Sequence, residues 1–121
     1  MKEAFFHKKA LETIRSFSKE VRKSVGKAIR NLQSGRHLSM PLSRPMPDVS
    51  LGVAELRVKD RGDQFRIFYY IKHWAGILVF HAFIKKSRET PKHEIEIGRK
   101  RLKGLIHETE QKIKPDQSKD S

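Results

Sequence analysis

The chain has 121 residues, no cysteine, and 27 Lys and Arg against 14 Asp and Glu, for a net charge of +13. That length bounds one domain with a modest core. The missing thiols exclude disulfides and thiolate metal sites, and no apolar run approaches the ~18 residues a membrane span needs. The first residues, "MKEAFFHKKALETIRSF", lack the apolar stretch and cleavage site of a secretory signal, so a cytoplasmic protein without membrane attachment is expected.

"EAFF" at residues 3–6 reads as a short edge strand. Residues 8–17 follow as a helix, with Leu11, Ile14 and Phe17 at helical spacing after Ala10. Ser18 is placed to cap a second helix, in which Val21, Val25, Ala28, Ile29 and Leu32 form one apolar stripe. Gly35 suits the residue just past its end. The opposite face of this helix carries Lys19, Arg22, Lys23, Lys27 and Arg30. Residues 36–52 hold three prolines without periodicity and read as a connection.

Three strand-like runs come next. "VAELRVKD" and "DQFRIFYYIK" alternate, and "GILVFHAFIK" is almost continuously apolar. Arg61-Gly62-Asp63 and His73-Trp74-Ala75-Gly76 supply turns, so an antiparallel meander is expected. Thr90 as N-cap and Pro91 as first helical residue then open a last helix, with Ile95, Leu102, Leu105 and Ile106 as its apolar positions. A charged, disordered tail is expected over 108–121, leaving 1–107 as the domain.

Side chains alternate across a strand, so parity sorts faces. Ala54, Leu56 and Val58, then Phe65, Ile67, Tyr69 and Ile71, then Leu78, Phe80, Ala82 and Ile84 are expected in the core. The opposite face then gathers Arg57, Arg66, Tyr70, His81 and Lys85, with both arginines pointing outward. Each has an ordinary structural use, but like charges gathered on one face repel and call for an anionic partner. Subtracting the last fourteen residues, with three positive and four negative charges, leaves +14 on residues 1–107. Nucleic acid is the leading partner class.

The chemistry open to such a set is cleavage of RNA without a metal ion. The 2′-hydroxyl is an internal nucleophile, so the protein supplies an acid, a base and cations for the developing phosphorane charge. Arg57, Arg66, Lys85 and His81 are the candidate catalytic residues. Lys59, Arg61, Tyr70, Lys72, Phe83 and Lys86 are the candidate RNA contacts, the aromatics by stacking a base. Which group is base and which is acid stays open. The six histidines, at 7, 37, 73, 81, 93 and 107, lack metal-ligand spacing, and no cofactor motif occurs.

"VAELRVKDRGDQFRIFYYIK" followed by "VFHAFIKKSRETPKHEIEIGRKR" resembles the RelE/ParE toxin superfamily, in particular its HigB-like, phage-related branch. The resemblance rests on Glu55-Leu56-Arg57, Phe65-Arg66-Ile67, Phe83-Ile84-Lys85-Lys86 and Thr90-Pro91 through Glu94-Ile95-Glu96, and spans about residues 4–107. It implies an α+β fold, with two N-terminal helices packed on a small antiparallel sheet and a C-terminal helix. It also implies a toxin of a type II toxin–antitoxin pair that cleaves mRNA on the ribosome, neutralised by an antitoxin of helix-turn-helix type. Arg57, Arg66, Lys85 and His81 carry over as its site. Gly98 replaces a common alanine, read as a change of helix propensity only. Two alternatives stay open: a ParE-like inhibitor of DNA gyrase without enzymatic activity, and a basic RNA-binding domain.

Overall fold

The computed structural model describes residues 1–113. It holds three helices and a five-stranded sheet in the order β1 (Glu3–Phe6), α1 (Lys8–Ser16), α2 (Lys19–Gln33), β2 (Ser43–Pro45), β3 (Val53–Asp60), β4 (Asp63–His73), β5 (Gly76–Lys85) and α3 (Lys92–Lys112). The expected domain end at residue 107 falls inside α3, which continues to Lys112. The rest of the expected tail, 114–121, lies outside the described residues.

The local signals work as physical chemistry dictates. Ser18 accepts a hydrogen bond from the Val21 amide at 3.3 Å and caps α2. At the other end, Gly35 at φ 86° lets the Gly35 and Arg36 amides reach back to the Leu32 and Asn31 carbonyls. That closes the helix in a Schellman turn. Arg61 and Gly62 both have positive φ in the two-residue turn between paired Asp60 and Asp63, the geometry that matches the twist of a hairpin.

The strands lie side by side as β1-β5-β4-β3-β2. Two features correct the expected arrangement of helices on an antiparallel sheet. The "EAFF" segment is the expected edge strand, β1, but it pairs parallel to β5, so the sheet is mixed, and the helices sit between β1 and β2. Gly76 permits this pairing, because a Cβ there would collide with the Glu3 carbonyl oxygen. The proline-rich connection also contributes β2, a three-residue edge strand ending in Pro45, where a missing amide hydrogen costs no ladder bond.

The second correction concerns the faces of β5. Phe68 pairs with His81 but Tyr69 pairs with Val79, leaving Phe80 as an extra residue. Such a bulge reverses parity along the strand. Ile77, Val79 and Ala82 therefore pack with the α1 and α2 stripes, Leu56, Val58, Phe65, Ile67 and Tyr69. Leu78 and Phe80, expected beside Ala82, instead join Phe68, Phe83, Leu102 and Leu105 beneath α3. Ile71 and Ile84, also expected in the core, are each 37% exposed.

The sheet thus separates two apolar layers, and α3 covers only part of its second face. Gly98 sets the closeness of that packing: a Cβ would lie 2.9 Å from Phe68 Cδ2. The residue serves close approach, and not helix propensity alone. Thr90 does not cap α3 as expected. The helix starts at Lys92 with Pro91 at the cap and no side-chain cap bond, because the Thr90 hydroxyl is engaged with Glu55 at 3.1 Å.

Candidate functional site

Where α3 leaves the second face uncovered, the ends of β3, β4 and β5 place cations in two adjacent rows. Arg57 stands opposite Arg66, which stands opposite Phe83, and in the next row Lys59, Gln64 and Lys85 align. Two depressions open here. One, of about 450 Å³, is lined by Pro41, Leu42, Arg57, Lys59 and Arg66. The other, of about 600 Å³, shares Arg57 and Lys59 and adds Gln64, Lys85, Lys86 and Arg88 among others. Together they form one cationic cleft.

Facing arginines are unfavourable in a sheet, and a buried carboxylate offsets them. Glu55, one residue pair further along β3 on the same face, lies with Oε1 3.6 Å from Arg66 Nε, and both side chains are 1% exposed. Arg66 also donates to the Phe65 carbonyl at 3.2 Å and to Gln64 Oε1 at 2.6 Å. The expected outward Arg66 is therefore corrected: it forms the floor of the cleft, buried against Glu55. Arg57 is half-buried and reaches Met40 Sδ at 3.8 Å. The Nε groups of both arginines are buried without a hydrogen-bond partner, which is uncommon in folded proteins.

Burial pushes the Lys85 ammonium below its ordinary pKa; Arg66, Arg57 and Arg44 push the same way and Glu55 opposes them. Burial likewise lowers the Arg66 guanidinium, again against Glu55. A lysine so placed releases its proton more readily than one in water.

The sequence candidates divide into three groups. Arg57, Lys59, Arg66, Lys85 and Lys86 come together in the cleft. Arg61 is exposed at the tip of the hairpin that borders it. His81, Phe83, Tyr70 and Lys72 do not open into it. Phe83 is buried, with its ring 5.5 Å from Phe68 and 5.2 Å from His81, so no base can stack on it. Tyr70 is half-buried and, with Lys72, lies toward the other end of β4, six residues or more from Gln64 in the Gln64–Lys85 row.

His81 is buried beneath α3 with both ring nitrogens occupied. Arg101 donates to Nδ1 at 2.9 Å, so Nε2 bears the proton and donates to Glu94 Oε1 at 2.7 Å. Burial holds its pKa below the ordinary imidazole value; Glu94 opposes this and Arg101 reinforces it. This neutral, fully bonded ring ties α3 to β5 and is not a free base.

The site candidates chosen from the sequence did not include Glu55, Gln64, Thr90, Arg44 or Arg88, although Arg88 already stands with Lys85 and Lys86 in the cation cluster that ends the third strand. Parity already put Glu55 beside Arg57, so its role was within reach. Arg44 arrives from the aperiodic connection, which carries no such signal. Among the described residues no three His, Asp or Glu side chains are grouped to hold a metal ion, and no helix is long and apolar enough to cross a membrane.

Fold and cleft together define a small basic α+β domain with a cationic cleft at one end of its sheet. Residues 12–103 match the family described as Phage derived protein Gp49-like (DUF891), a stretch that includes every residue of β3, β4 and β5. The chain belongs to that family, a RelE-like toxin family of toxin–antitoxin systems. No curated protein matches it.

Proposed function

We propose that this protein is the toxin of a type II toxin–antitoxin pair, of the HigB-like kind, and an endoribonuclease that cuts mRNA on the ribosome. The observation that carries this reading is the convergence of Arg57, Arg66 and Lys85 in one cleft over a buried carboxylate. Arg57 and Lys85 hold the nonbridging oxygens of a phosphodiester, and Arg66 beneath them keeps the site electropositive. The 2′-oxygen attacks phosphorus and the bond to the 5′-oxygen breaks, giving a 2′,3′-cyclic phosphate and a free 5′-hydroxyl. The 2′-hydroxyl proton leaves to a base, and the departing oxygen receives one. Lys85, with its weakened hold on a proton, is suited to one of these transfers. Stabilising the added phosphorane charge is the larger contribution, of roughly 2–4 kcal/mol for a well-aimed donor.

The partners follow from the same reading: mRNA, the ribosome, and a neutralising antitoxin of helix-turn-helix type encoded nearby. The test is to map mRNA 5′ ends after induction in cells. Cuts in phase with codons, lost in Arg57→Ala, are expected. Intact mRNA with accumulated gyrase–DNA cleavage complexes would overturn the nuclease in favour of a gyrase poison.

A further inference from the structure

The outer face of α2 is the other concentration of charge on the molecule. Residues 8–33 carry eight Lys and Arg against Glu12 and Glu20, a net +6. Lys19, Arg22, Lys23, Lys27 and Arg30 are all exposed, and at 100° per residue they lie within one side of the helix, opposite the buried Val21, Val25, Ala28, Ile29 and Leu32. The row runs about 16 Å at 1.5 Å per residue. None of the five has a carboxylate within 4.0 Å among the described residues. α3, by contrast, interleaves its cations with four glutamates.

Gly26 sits near the middle of this row. A glycine inside a helix costs about 1 kcal/mol relative to alanine, and packing does not require it: a Cβ would meet only Arg30 Nη1, at an ordinary 3.4 Å. Its effect is to leave a low place between Lys19, Arg22, Lys23 and Arg30, where a backbone can approach the helix closely. The row contains no aromatic side chain and no hydrogen-bond acceptor for a base edge. It is built to meet phosphates and not bases.

Its position connects it with the cleft. α2 packs on the sheet face opposite the cleft, but its capping residue Ser18 donates to Asp60 Oδ2 at 3.0 Å. Asp60 begins the hairpin whose tip exposes Arg61 and whose Gly62 and Asp63 line the cleft. The α2 row and the cleft are therefore neighbours through this hairpin, where Asp60 and Asp63 separate Lys19 from Arg61 and the cations of the site.

We propose that the outer face of α2 is a second RNA-binding surface that grips the phosphate backbone of double-helical RNA without regard to sequence, holding it while an adjoining single strand crosses the hairpin into the cleft. The delivery role rests on the nuclease reading above; the binding surface itself stands on the α2 row.

The test is fluorescence anisotropy with a blunt RNA duplex, across a salt series, using the purified chain. The combined variant Lys19→Gln, Arg22→Gln, Lys23→Gln, Lys27→Gln keeps helix propensity and changes exposed positions only. It should bind the duplex at least tenfold more weakly. Its plot of log affinity against log salt should flatten by about 0.9 for each phosphate that is no longer neutralised, or roughly 3.6 for the four lost cations. Arg57→Ala with Lys85→Ala should bind the duplex as the parent does. Parent-like affinity and salt slope in the α2 variant would overturn the proposal. So would displacement of the duplex by equimolar polyglutamate, which would make this face a dock for an acidic protein. If the parent binds duplex through α2 yet cuts no mRNA, the nuclease reading fails and the binding surface stands.

Discussion

Replacing Glu55 with glutamine should destabilise the domain by about 3 kcal/mol or more. Glutamine matches the shape of glutamate and keeps an acceptor for the Thr90 hydroxyl, so the change isolates the charge. Glu55 Oε1 and Arg66 Nε are 3.6 Å apart, with both side chains 1% exposed. At an effective dielectric near 20, unit charges at that separation attract by roughly 4–5 kcal/mol. Some of this returns when Arg66 shifts toward water, but it then stands opposite Arg57 with no counter-charge. Removing one member of such a pair typically costs about 3–5 kcal/mol. Urea unfolding followed by far-ultraviolet circular dichroism measures it. With a slope of about 1–1.5 kcal/mol per molar, the midpoint should fall by roughly 2–3 M. The double variant Glu55→Gln, Arg66→Met removes both charges and should recover part of the loss. A Glu55→Gln midpoint within ~0.5 M of the parent would refute the reasoning, because Arg66 would then have to be neutralised by solvent.

Gly98→Ala should lower the melting temperature by several degrees, since about 1–3 kcal/mol of overpacking against the fully buried Phe68 outweighs the ~1 kcal/mol of helix propensity gained; an equal or higher melting temperature would show that α3 can lift freely. His81 and His7 are both held below the ordinary imidazole value of 6.5, chiefly by burial. The unfolded chain therefore binds more protons than the folded one below that pH, and stability should be complete above about pH 6.5 and decline as pH falls further. Urea midpoints at about pH 7.5 and pH 5 check this, and His81→Gln should flatten the difference; a midpoint that rises on acidification would contradict it. Lys85→Ala should reduce RNA cleavage well beyond Lys86→Ala, because Lys85 shares the row of Lys59 and Gln64 while Lys86 follows the end of β5. Single-turnover rates on a short RNA would show the opposite order if β5 ended earlier.

The elements themselves were largely legible in the chain because their signals are local. Ser18 and Gly35 bound α2 through bonds to residues within five positions. The turn at Arg61-Gly62 needs only two residues at positive φ, and alternation along β3 and β4 placed Arg57, Arg66 and Glu55 on one face before any fold was known. Tertiary structure decided whatever depends on neighbours distant in sequence. The extra residue Phe80 exists only relative to β4, so parity within β5 could not reveal that Leu78 and Phe80 lie beneath α3. Burial of Arg66 requires Glu55 from the adjacent strand, and the loss of His81 as a free base requires Glu94 and Arg101 from the helix that follows β5. Thr90 shows the competition directly. Its sequence position suits a helix cap, yet its hydroxyl bonds the buried Glu55, because leaving a carboxylate acceptor unpaired in the interior costs more than an uncapped helix end exposed to water.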